Sequence, residues 1–106
     1  RPVGGERAMD RLAATSTEFV HVNVGSWING TAITLADPPE FAFLLTTNNP
    51  LAEDWLTGEW SGNWARILVG PAGGAVTLAE GRYHVWLTFT AGLEAPVRLT
   101  GQLDIY

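Results

Sequence analysis

Two stretches near the end of the chain alternate apolar and polar residues with period two, and they restrict the possible folds most. Arg82 to Thr90 sets Tyr83, Val85, Leu87 and Phe89 against His84, Trp86 and Thr88. Val97 to Tyr106 sets Val97, Leu99, Leu103 and Ile105 against Arg98, Thr100, Gln102, Asp104 and Tyr106. Successive side chains of a strand point to opposite faces, so each stretch predicts a strand buried on one side. Glu18 to Val24 repeats the pattern, with Val20, Val22 and Val24 opposed to Phe19, His21 and Asn23. Thr31 to Leu35 reads as a short strand that stops at Asp37-Pro38-Pro39, because proline cannot donate to a ladder. Glu40 to Thr46 is apolar on both sides, with Phe41, Phe43 and Leu45 against Ala42 and Leu44. Trp64 to Val69 is a β-rich run that begins with a tryptophan expected in the core, and Val76 to Leu78 is a further short strand. Leu51 to Asn63 has no clean period. About seven strands, roughly 8 to 12 residues apart with no helical period between them, predict an all-β sandwich or small barrel.

Length and charge narrow the reading further. A chain of 106 residues is expected to be one domain, placed at residues 13–106. Residues 1–12 are expected to be a flexible arm, or a leader or tag ahead of a natural start at Met9. Six basic residues, all arginine, against eleven acidic ones give a net charge of −5. Such a surface repels phosphate backbones and anionic lipid, so neither nucleic acid nor a membrane is an expected partner. The absence of cysteine removes disulfides and thiolate metal sites. Apolar runs stop at about five residues, where a spanning helix needs about 20. Arg1 to Asp10 holds no apolar stretch of the signal-peptide kind.

One short motif points to a particular architecture. Leu78-Ala79-Glu80-Gly81-Arg82-Tyr83-His84-Val85 places Leu78, Gly81 and Tyr83 in the spacing of the tyrosine corner, which it resembles. That corner opens strand F of immunoglobulin-like domains, with glycine at the turn and the tyrosine hydroxyl returned to upstream backbone. Val85 stands where antibody domains keep a cysteine, and the Glu40–Thr46 strand lacks their tryptophan. The expectation is therefore an immunoglobulin-like β-sandwich that is not of the antibody type, with a lipocalin- or jelly-roll-like β-fold as the alternative. In the sandwich, Tyr83, Val85, Leu87 and Phe89 face the core. The outer surface then carries His84, Trp86, Arg98 and Tyr106, beside either the phenylalanines or Leu44. Aromatic anchors with an arginine suit a protein interface. Equally, the N-terminal segment or the Leu51–Asn63 crossover could fold over that face.

Chemistry-bearing groups are sparse. His21 and His84 each sit in an alternating strand without the further ligands that zinc requires. Ser16, Ser26 and Ser61 lack a nucleophile-elbow context, and Glu53, Asp54 and Glu59 read as a solvated acidic loop. Gly70-Pro71-Ala72-Gly73-Gly74 and Asn29-Gly30-Thr31 read as turns. No catalytic, metal or cofactor site is expected. One constellation has a binding reading: Trp55 and Trp60 could stack on sugar rings while Asp54 and Glu59 hold hydroxyls. The other reading is that these indoles clamp the crossover to the sandwich edge.

The order of segments carries a wider resemblance. It runs from Glu18–Val24 through Pro38-Pro39-Glu40-Phe41-Ala42-Phe43, Asp54-Trp55, Trp60 and Ala65–Pro71 to Leu78–Trp86, Pro96-Val97 and Gly101-Gln102-Leu103. From Met9 to Tyr106 the chain resembles small proteins encoded among the virion-assembly genes of tailed phages and prophages of actinobacteria. The resemblance implies a non-enzymatic virion structural protein: a capsid decoration, minor capsid or head–tail joint subunit made in the host cytoplasm and present in many copies. It implies contact with capsid, portal, neck or tail proteins and with copies of itself. The alternative is an immunoglobulin-like module that recognises host-surface glycan through Trp55 and Trp60.

Overall fold

The computed structural model describes residues 8–24, 37–62, 64–90 and 95–106. Among the described residues eight strands are formed: β1 (Ala8–Leu12), β2 (Glu18–Asn23), β3 (Glu40–Leu44), β4 (Leu56–Thr57), β5 (Glu59–Ser61), β6 (Trp64–Val69), β7 (Gly81–Thr88) and β8 (Val97–Ile105). They build two sheets, one in the order β1-β8-β7-β3-β4 and the other β2-β6-β5. Among the described residues the one helical element is a single 3-10 turn, Ala52–Asp54. The fold is all-β and sandwich-like. The expected strand at Thr31–Leu35 and turn at Asn29-Gly30-Thr31 lie outside the described residues.

Alternation decides which side chains meet between the sheets. Tyr83, Val85, Leu87 and Phe89 are buried from β7 and its extension, with Phe41 from β3 and Leu103 and Ile105 from β8. The second sheet supplies Val20, Ala65, Ile67 and Val69. Phe41, Ile67, Leu87 and Leu103 have almost no exposure, and fully burying such a side chain contributes about 1.5–3 kcal/mol each. On β3 it is the phenylalanines that face inward, opposite Leu87 and Val85, while Ala42 and Leu44 pair with Trp86 and His84 on the outside.

The turn into β7 is pinned by Tyr83. The Tyr83 hydroxyl donates to the Ala79 carbonyl at 2.8 Å, and the ring is buried. Gly81, at φ 154°, turns the chain where an added Cβ would stand 3.2 Å from Leu45. Few L residues adopt that backbone, so glycine is required.

Four expectations are corrected. Ala8–Leu12 is not the end of an arm: it lies parallel to β8, with Leu12 opposite Ile105, and burying Leu12 draws it into the sheet. Trp64 is not in the core but 44% exposed, because Ala65, Ile67 and Val69 take the inward phase of β6. The unpatterned crossover holds β4 and β5, too short at two and three residues to show a period. The fourth concerns β8. Val85 pairs with Gly101 but Trp86 pairs with Leu99, so Thr100 is an extra residue in a bulge. Its hydroxyl donates to the Val85 carbonyl at 2.9 Å. A bulge shifts the phase of a strand by one residue. Val97 and Leu99, expected inside, therefore lie on the outer side with Thr88 and Trp86, and Arg98 falls opposite Leu87 instead.

Candidate functional site: the outer sheet faces

The outer face of the five-stranded sheet has a charged end and an apolar centre. At the charged end Arg11 and Asp104 are directly opposed and 3.6 Å apart. Arg82 stands opposite Asp104 on the next strand. The Arg11 guanidinium also lies 4.5 Å from the centre of the Tyr106 ring, which is 55% exposed. Tyr106 is fixed by its own backbone, whose N–H donates to Leu12 and whose carbonyl accepts from Ala14.

Further along the strands the face turns apolar. His84 sits between Gln102 and Leu44, and Trp86 between Leu99 and Ala42. Val97, 46% exposed, and Glu40 flank Thr88 at the far end. Trp86 is half-buried, and its indole Nε1, like His84 Nδ1, is screened from solvent with no hydrogen-bond partner among the described residues. A screened donor without an acceptor leaves a desolvation cost uncompensated. Trp86 and Tyr106 thus share a face, as the alternation predicts, but not a patch. Six residues of strand separate their rows, roughly 20 Å. Arg98 joins neither.

The outer face of the three-stranded sheet is a second candidate, which the sequence reading missed by placing Trp64 inside. Phe19, 37% exposed, His21 and Trp64 form a row, with His21 5.9 Å from each neighbouring ring centre. The Arg66 guanidinium lies over the Phe19 ring at 4.1 Å and is held by Glu59, with Nε to Oε2 at 2.6 Å. Beside Phe19 and Arg66 an open groove of about 260 Å³ runs past Thr57, Gly58, Leu68 and Ala75. The cue was present in the sequence: Trp64 is in phase with Arg66, not with Ile67.

The sugar-binding constellation does not come together. Asp54 accepts the Leu51 N–H at 2.8 Å, closing its own turn. Glu59 faces outward to Arg66. Trp60, adjacent on β5, faces inward, packs edge-to-face on Phe89 at 5.6 Å and donates its indole N–H to the Asp37 carbonyl at 2.8 Å. Neighbouring strand residues on opposite faces cannot grip one sugar. Trp55 is half-buried after the 3-10 turn. Among the described residues no three His, Asp or Glu side chains gather as a metal site, and no helix is long and apolar enough to cross a membrane. Comparisons with protein-family models, curated proteins and solved structures return no match.

Proposed function

We propose that this chain is an immunoglobulin-like sandwich serving as a non-enzymatic structural subunit of a phage virion, at the capsid surface or head–tail joint, through protein–protein contacts. The architecture is supported by strand order: β2, β6 and β5 correspond to strands B, E and D, and β3, β4, β7 and β8 to C, C′, F and G. The corner bond from Tyr83 to Ala79 sits where strand F opens. The virion assignment rests on the resemblance of the segment order from Met9 to Tyr106.

The observation that carries the binding role is the apolar centre of the five-stranded face. Trp86 stands directly beside Leu99, with Val97 in the row on one side and Leu44 in the row on the other. Rigid strands hold side chains at fixed spacing, so docking there orders little that was loose. Buried aromatic anchors dominate binding energy at such surfaces.

The test is incorporation into particles. Virions assembled with the native chain should retain it through density-gradient purification, and Trp86→Ala should lower its occupancy about tenfold, the effect of removing ~1.4 kcal/mol of contact. Native protein that stays with the soluble fraction, while particles assemble without it, would refute the assignment.

A further inference from the structure

The five-stranded outer face divides by charge in a way that suits one particular occupant. Its rows run along the strands from Arg11, Asp104 and Arg82 at one end to Val97, Thr88 and Glu40 at the other. Asp104 stands between Arg11 and Arg82 and is paired with Arg11, so that row carries two arginines to one carboxylate. No ion pair is formed by Arg82 or by Glu40 among the described residues. Between them lie Trp86 and Leu44. The face therefore has an arginine excess at one end, a middle of Trp86, Leu99 and Leu44 with His84 and Gln102 among them, and a carboxylate at the other end.

We propose that this face pairs with the same face of a second copy, about a two-fold axis lying across the strands. This rests on the reading of the face as a protein interface and names its partner. Rotation about that axis reverses the strand direction while keeping β7 over β7 and β3 beside it. The Arg82 end of each copy then covers the Glu40 end of the other, giving two symmetry-related ion pairs, and the two Trp86 patches meet at the centre. A two-fold interface must be self-complementary, and opposite charges at opposite ends of one patch satisfy that condition. Any other two-fold in the plane that keeps like ends together sets Arg82 against Arg82. The area bounds the strength. β1 and β4 flank opposite ends of the face and do not overlap their copies across this axis, so about three strands at about 4.8 Å spacing and about 20 Å of length give on the order of 300 Å² per copy and 600 Å² in all, the size of a weak, transient contact. Pairing of that size is transient in the free protein and calls for a high protein concentration to be seen.

Sedimentation velocity on the full chain, run as a concentration series, tests this with three variants. The native chain should show a monomer–dimer equilibrium. Arg82→Glu and Glu40→Arg, each setting like charges together, should each weaken it at least about tenfold. The double variant restores opposite charges and should return to within about threefold of native. Circular dichroism of each variant checks that the sandwich has folded. A native chain that stays monomeric throughout the series overturns the proposal, as does a double variant no better than the singles. If Trp86→Ala still leaves virions in that event, the contact role stands and only self-pairing falls.

Discussion

Replacing Tyr83 by phenylalanine removes one hydroxyl and leaves the ring. In the native chain that hydroxyl donates to the Ala79 carbonyl at 2.8 Å, and the ring is 7% exposed. Ala79 itself is exposed, so water can take over its carbonyl when the hydroxyl is lost. The expected cost is then the net value of one hydrogen bond, about 1 kcal/mol, without the added penalty of a stranded buried acceptor. For a domain of about 100 residues that corresponds to a fall of roughly 4–8 °C in Tm. Tyr83→Ala also deletes the ring, and truncating a buried aromatic costs about 3–5 kcal/mol. Equilibrium unfolding in urea, followed by far-ultraviolet circular dichroism, separates the two. The reasoning fails if Tyr83→Phe is neutral within error, or if it costs as much as the alanine variant. The first result would mean that the corner is held by packing alone. The second would mean that the Ala79 carbonyl is left without a partner when the hydroxyl is lost.

Gly81→Ala should destabilise by about 1–3 kcal/mol in the same assay, because an L residue at φ 154° is strained and its Cβ crowds Leu45. Ile67→Ala should cost about 2–5 kcal/mol, whereas Val97→Ala should stay within about 1 kcal/mol, since Ile67 is almost fully buried and Val97 half-exposed.

How much of this was legible beforehand follows from how far each strand obeys a simple period. β7 is regular over eight residues, and its inward and outward sets were readable one by one. β2 likewise gave Val20 inward and Phe19 and His21 outward. β8 broke the rule. Its apparent alternation from Val97 to Ile105 hides the extra residue at Thr100, so the half before the bulge reads with the wrong phase. A bulge leaves no mark in hydrophobic pattern unless a glycine or a polar residue is recognised as its site, and Thr100-Gly101 is such a pair. Trp64 was misplaced because hydrophobicity was weighed above phase. β1 was missed because Ala8-Met9-Asp10-Arg11-Leu12 has one strong core residue, and a parallel edge partner is set by tertiary contact, not by local sequence. The corner was legible because three residue types at fixed spacing specify it.

The apolar centre of the proposed interface depends on that bulge. Backbone and side-chain nuclear Overhauser contacts across β7 and β8 test it directly. The structure predicts that Val85 faces Gly101 while Trp86 faces Leu99, with Val97 exposed beside Thr88. Contacts of Trp86 with Thr100 and of Leu87 with Leu99 would mean an unbroken ladder. Leu99 and Val97 would then sit in the core, Arg98 would stand on the outer face, and the self-complementary patch would not exist.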